Sequence, residues 1–324
     1  MVHAKGSRMS CSKQVLRLAS DCVAAHRRIR LSVVDTMCIP SRTSKGLFFK
    51  CENFQHTGSF KLRGALSKLT GLASGVPIIT ASSGNHGIAC SHAAMTTGHK
   101  LTVVLPKDVA RAKLEKIRSY GTETILNPGD SGLAELHAQE LAAGGCFEYV
   151  SPYNDPLVIA GQGTIGLELL EQLPVIDNIF VSMGGGGLIS GIGSVIKAAY
   201  PKTKIVGVSA ANSAALAASI IAGKVVETDH LDTLADGCAG GVDKDAITLP
   251  IASEVVDELI ECTEEEIKKA LRLVAWKENM IVEGAAGLAL AGYLSNEMKF
   301  DGQTNVVVLC GANYDKQKIE AVLN

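Results

Sequence analysis

Eight short runs, apolar almost throughout, punctuate the sequence, with helix-like stretches between them. They are GLFFKCE (46–52), VPIITA (76–81), KLTVVLP (100–106), TETILN (122–127), FEYVSP (147–152), NIFVSM (178–183), TKIVGVS (203–209) and NVVVLC (305–310). A strand with one face in water alternates apolar and polar residues, whereas a strand covered on both faces has no need to. The pattern therefore predicts an α/β protein whose parallel sheets are sandwiched by helices. SFKLRGALSKL (59–69) is the first of those helices. Four strands fall close together inside a longer, interrupted series. This predicts two parallel-sheet domains: a smaller one at 74–152 and a larger one formed by 1–73 and 153–324. A site in such a fold belongs in the cleft, at the carboxyl ends of the strands.

Composition narrows the function. Across 324 residues the net charge is -2, so the basic footprint of a nucleic-acid or membrane-surface binder is missing. No apolar run is long enough to span a bilayer. The basic residues at the N-terminus lack the apolar core of a secretory signal. Nine cysteines occur without CxxC pairs or zinc-finger spacing, which favours free thiols in a reduced, cytoplasmic compartment.

Four stretches carry chemistry. In TGSFKLRGA (57–65), Lys61 and Arg63 stand at i and i+2 and do not share a helix face, so this is no basic stripe. Gly58, Ser59 and Gly64 allow close approach of backbone or ligand, and Lys61 either lies on a surface turn or points inward at a partner. MGGGGLISG (183–191) leaves a strand and opens a helix. Its bared N–H groups and the helix dipole suit a phosphate better than a plain flexible turn would require. It is neither GxGxxG nor a Walker A sequence. ASSGNHG (81–87) occupies the equivalent turn of the smaller unit. There Ser82, Ser83, Gly84 and Asn85 either present N–H and hydroxyl groups to a carboxylate or simply cap the helix. His86 and His92 read as structural. LCGANYD (309–315) ends the last strand on Cys310, which has no evident activating base nearby in sequence.

FFKCENFQHTGSFKLRGA, SSGNHG, GGGGL and LCGAN, in that order, resemble the motifs of pyridoxal-phosphate enzymes of the tryptophan-synthase β-like fold (fold type II). Within that fold the resemblance is to the serine/threonine dehydratase and serine racemase group, over roughly residues 20–318. It implies pyridoxal 5'-phosphate as cofactor, a small amino-acid substrate and a homodimer, with neither nucleic acid nor membrane as partner. Lys61 is then the Schiff-base partner and α-proton base, and Phe60 packs on the pyridine ring. Asn85 bonds the phenolic oxygen, and Gly184, Gly185, Gly186, Gly187 and Leu188 hold the phosphate. Ser82, Ser83, Gly84, Asn85 and His86 grip the substrate carboxylate, and Cys310 faces the pyridine nitrogen. Glu283 matches a family glutamate near the cofactor, although a helix-start acid explains it equally well.

A thiol cannot hold the pyridine nitrogen protonated as a carboxylate would, so the implied reaction is β-elimination of a hydroxy amino acid to a 2-oxo acid and ammonia. The alternative is a racemase, because Ser83 stands where racemases keep a second acid-base. A β-replacement synthase and a catalytically silent binding protein fit less well. Three departures bear on this. Ser209 and Ala215 replace the carboxylates of the racemase metal site, so no metal is expected. RLSVVDTM (30–37) lacks the usual Thr-Pro pair. No regulatory C-terminal domain follows, so isoleucine feedback is not expected.

Overall fold

A computed structural model describes residues 3–4 and 11–324. In chain order the strands are β1 (His3–Ala4), β2 (Cys38–Pro40), β3 (Leu47–Lys50), β4 (Ile78–Ala81), β5 (Leu101–Pro106), β6 (Glu123–Asn127), β7 (Glu148–Tyr149), β8 (Asn178–Ser182), β9 (Lys204–Ala210), β10 (Glu258–Cys262) and β11 (Asn305–Val308). They form two sheets. The larger has seven strands in the order β1-β10-β9-β8-β11-β3-β2, and the smaller has four in the order β6-β5-β4-β7. All pairs are parallel except those made by the edge strands β1 and β2. The α/β reading with two parallel-sheet units is thus correct. At the centre of the larger sheet, Val306 pairs with Phe48 on one side and Ile179 on the other, which sets the ends of β3, β8 and β11 side by side.

Three strands did not stand out in the sequence. β2 is a three-residue edge strand ending in proline, a residue tolerated where no ladder donor is needed. In β10 (ELIEC), two acids interrupt the apolar run, and one of them, Glu258, is buried against the Lys299 ammonium. β1 is a two-residue antiparallel addition to β10.

The helix Lys61–Leu69 forms because Leu62, Ala65, Leu66 and Leu69 recur at i, i+3, i+4 and i+7, making one apolar face. That face is fully buried in the core beneath the smaller sheet, with Ile78, Ile88 and Val103. Its other side meets the helix Pro156–Gln172, which starts on an Asp155 cap and a proline in its first turn. The two backbones nearly touch: a Cβ on Gly161 would lie 2.4 Å from the Arg63 carbonyl oxygen.

Around this crossing lies a charge network sealed from water. Arg63 donates to Glu52 Oε2 at 2.8 Å and to Glu168 Oε1 at 2.5 Å, and Lys50 Nζ donates to Glu168 Oε2 at 2.5 Å. Val34 supplies a carbonyl to Arg63 and Thr36 supplies one to Lys50. The RLSVVDTM segment, without its proline, therefore serves as a lid on this network.

Candidate active site

Lys61 opens its helix at the point where two chain segments meet. The Ser59–Gly311 bridge, with Phe60 N donating to Cys310 O at 3.0 Å, joins the segment before Lys61 to the end of β11. Lys61 Nζ donates to Pro152 O at 2.9 Å and lies 5.2 Å from the centre of the Phe60 ring. Burial lowers the pKa of this amine, more than the nearby thiols of Cys238, Cys90 and Cys310 and the Glu283 carboxylate raise it. The inward-pointing alternative is the one realised. A lowered pKa favours the free-base form, which can form an imine and move a proton.

Two helix starts bare their amides close by. The helix Gly187–Ala199 follows β8 with Gly186 as cap at φ +90°, and no side chain caps it. Among the described residues, the N–H groups of Gly184 to Leu188 donate to no acceptor. The loop's side-chain faces are closed: a Cβ on Gly185 would stand 2.4 Å from the Tyr153 ring. Uncommitted amides at a helix N-terminus suit a phosphate. The helix Asn85–Thr97 likewise starts on Gly84 with no side-chain cap, so the capping alternative for its serines is not the one seen. Ser82 Oγ accepts from Gly84 N at 3.2 Å, and the amides of Ser83, Asn85 and His86 are left free for an anion.

The remaining residues sort by what they touch. Glu283 is buried and accepts from Asn85 Nδ2 at 2.8 Å and from Asn313 N at 3.0 Å. Burial raises its pKa against these two bonds. Cys310 is buried 3.7 Å from Ser182 Oγ and 4.0 Å from Glu283 Oε1. Burial first, then Glu283 and Cys238, keep its thiol neutral. Asn85 is thus tied to Glu283 and Asn313 as well as standing at the loop. The His86 ring turns away into the smaller unit, with Nε2 3.0 Å from Val150 O, and burial with Lys61 nearby lowers its pKa to about 3. Only its amide faces the loop. His92 stacks on His56 and meets Tyr120 edge to face. Ser209 and Ala215 are buried, and among the described residues no cluster of His, Cys, Asp or Glu has a metal-holding arrangement.

Sequence reading passed over Asn313, Tyr153, Cys238 and Thr248. Asn313 lies within LCGANYD and bonds Thr57 O, Asn85 and Glu283. Its position after the small-residue turn was the available signal. Thr248 Oγ1 donates to Gly185 O at 2.7 Å and Cys238 faces Gly184, contacts between distant segments that leave no local trace.

Two α/β units, an inward-pointing lysine and two amide-lined helix starts make a site that suits an anionic carbonyl cofactor. Residues 29–311 match the family described as "Pyridoxal-phosphate dependent enzyme", and the chain belongs to it. Its cofactor is pyridoxal phosphate. The chain is 41% identical to an L-threonine ammonia-lyase of Geobacter sulfurreducens, over 86% of this chain and 69% of that protein. It superposes on the processed threonine deaminase isoform 2 of Solanum lycopersicum with a TM-score of 0.93 at 28% identity, covering 99% of this chain and 91% of that one. Maize serine racemase aligns with a TM-score of 0.87 at 30% identity, over 94% and 95% of the two chains. Among the described residues no helix is long and apolar enough to cross a membrane, and all nine cysteines are unbridged.

Proposed function

We propose that the chain is an L-serine/L-threonine ammonia-lyase that converts a β-hydroxy amino acid to a 2-oxo acid and ammonia. The reading includes a cytoplasmic homodimer, with residues 74–152 as the smaller domain and 1–73 with 153–324 as the larger. The observation that supports it most is the pair of uncapped helix starts flanking one desolvated amine. One suits a phosphate and the other a carboxylate. The L-threonine ammonia-lyase likeness supports the substrate class.

In this reading Lys61 holds the cofactor and takes the α-proton, and Phe60 packs against the cofactor ring. The amides of Gly184, Gly185, Gly186, Gly187 and Leu188 hold the phosphate. The amides of Ser83, Asn85 and His86 hold the substrate carboxylate, with the Ser82 and Ser83 hydroxyls beside them and Gly84 giving the turn. Glu283 and Asn313 fix the Asn85 amide, which would stand beside the cofactor's phenolic oxygen. Once bound, the cofactor withdraws electron density from the substrate's α-carbon. Cys310, held neutral by burial, would face the bound ring without adding charge to it, which favours loss of the β-hydroxyl, together with a proton as water, over return of the proton to the α-carbon.

The test is the ratio of 2-oxo acid to D-amino acid formed from L-serine and L-threonine by the purified enzyme. We expect 2-oxo acid to dominate. Should the D-isomer dominate, and vanish in Ser83→Ala, the chain is a racemase. Ser83→Ala in a lyase instead raises KM and leaves part of kcat, because only carboxylate binding is weakened.

A second expectation concerns metals. Ser209 on β9 and Ala215 at the start of the helix Ala215–Ala222 offer no carboxylate. Treatment with a chelator is expected to leave turnover unchanged. Activation by magnesium or calcium that Ser209→Cys or Ala215→Leu removed would contradict this.

A further inference from the structure

The glycine loop that suits the phosphate has no side chains of its own to hold it in shape. Gly184 to Gly187 give up more backbone freedom on ordering than other residues would. Their amides converge only where something outside the loop fixes them. Both ends of one surface segment do this. At its start, Cys238 closes the short helix Asp236–Cys238, and a Cβ on Gly184 would lie 3.1 Å from the Cys238 Cα. At its end, Thr248 opens the helix Thr248–Val255 and donates Oγ1 to Gly185 O at 2.7 Å. A Cβ on Gly186 would lie 3.1 Å from the Thr248 Cβ. Residues 239–247 arch between these two contacts, with Gly240, Gly241, Lys244 and Asp245 exposed.

The arch is tied to a post. Residues 151–155 follow β7 and lead into the helix Pro156–Gln172. Ser151 Oγ accepts from Asn154 N at 2.9 Å, and Asp155 caps that helix and pairs with Lys68 Nζ at 2.7 Å, so the post is held from both ends. Tyr153 Oη accepts from Asp243 N at 2.9 Å. Asn154 Nδ2 donates to Asp243 Oδ2 at 3.0 Å, and its Oδ1 accepts from Ile247 N at 2.9 Å. The Tyr153 ring also backs Gly185, and its Cα would stand 3.1 Å from a Cβ on Gly187. Pro152 O, in the same segment, accepts from Lys61 Nζ at 2.9 Å. One short segment thus touches the amine, the glycine loop and the arch.

We propose that Tyr153 and Asn154 are positioning residues for the cofactor phosphate. By tying down residues 239–247 they keep Cys238 and Thr248 against the glycine loop, so that its amides are already set for the anion. This role rests on the reading of Gly184 to Leu188 as the phosphate site. A loop ordered during folding does not have to be ordered again on binding, and loosening it weakens the ligand that uses it. Contacts elsewhere on the cofactor are left alone.

The test compares pyridoxal phosphate with pyridoxal, which has the same ring and aldehyde and no phosphate. Each is added to the full chain stripped of cofactor while visible absorption is followed. The unmodified chain is expected to bind the phosphate ester at least about 100-fold more tightly, because charge-assisted bonds to the amides are lost with the phosphate. Asn154→Ala removes two ties and is expected to weaken pyridoxal phosphate about tenfold. Tyr153→Phe removes one tie, keeps the ring on Gly185 and is expected to weaken it about threefold. Pyridoxal affinity is expected to stay unchanged in both. Trypsin cleavage after the exposed Lys244 is expected to accelerate in both, as the arch opens more often. Should Asn154→Ala not fold, Tyr153→Phe decides alone. If the variants keep the unmodified preference for the phosphate ester, lose both ligands in step, or leave cleavage after Lys244 unchanged, the positioning role fails and the phosphate site stands. Equal binding of the two ligands by the unmodified chain overturns the phosphate site and the positioning role together. Turnover of L-threonine enters none of these measurements, so the ammonia-lyase reading stands or falls separately.

Discussion

Lys61→Ala is expected to abolish the visible absorption of lysine-linked cofactor and to lower turnover by at least about 10³-fold, the scale of a lost general base compounded by lost covalent anchoring. The expectation follows from where the amine sits. Its surroundings offer one carbonyl, Pro152 O at 2.9 Å, and otherwise thiols, an aromatic ring and a carboxylate held by other partners. Burial lowers the pKa, which favours the free-base form needed for imine formation and proton abstraction. No second lysine is in a position to substitute: Lys50 and Lys68, the buried lysines among the described residues, are committed to Glu168 and to Glu148 with Asp155. The phosphate loop stays intact in the variant, so the cofactor is expected to bind reversibly and wash out on gel filtration. A variant with normal turnover, or one that keeps the linked-cofactor absorption, would remove Lys61 from its role.

Much of the architecture was legible because burial on both faces leaves a simple mark. All eight apolar runs contain a strand, and the helix Lys61–Leu69 follows from the spacing of Leu62, Ala65, Leu66 and Leu69. β10 was illegible because Glu258 breaks its apolar run, and the Lys299 that neutralises this acid lies far along the chain. The same limit governs the site. Glycines bare their amides in any context, so MGGGGLISG points to a phosphate by itself, whereas ASSGNHG alone leaves an ordinary helix cap open. Whether Ser82 and Asn85 cap their helix or leave it open depends on Glu283 and Asn313, which draw the Asn85 side chain away from the helix end. His86 shows the opposite case: its ring reads as structural in the sequence, and Val150 O and Cys90 do occupy it, leaving only its amide for the loop.

Arg63→Met is expected to be the most destabilising single change outside the cleft, and Arg63→Met with Glu52→Gln less so. Arg63 has no exposure to solvent. Burial disfavours its charge, but Glu52 and Glu168 outweigh that and hold its pKa above the ordinary range. With Lys50 the network contains two cations and two carboxylates, a neutral set whose donors are further met by Thr164, Thr36 and Val34. Removing Arg63 leaves Glu52 buried without a cation and Glu168 with only Lys50. Breaking a buried pair in this way costs about 3–5 kcal/mol, because an uncompensated charge remains in low dielectric. Thermal unfolding should then shift downward by on the order of 10 °C. Neutralising Glu52 as well restores the charge balance, so the double variant should recover part of the loss, a non-additivity that a mere packing defect would not produce. The network also reaches the chemistry, because Arg63 lies two residues after Lys61 and its carbonyl oxygen is where helix Pro156–Gln172 crosses at Gly161. In the double variant, kcat should fall more than KM rises, since Lys61 is less firmly placed while the carboxylate loop is untouched. Melting temperatures of the two variants decide the matter. If the double variant melts no higher than Arg63→Met, the buried charges are not what holds this helix crossing together.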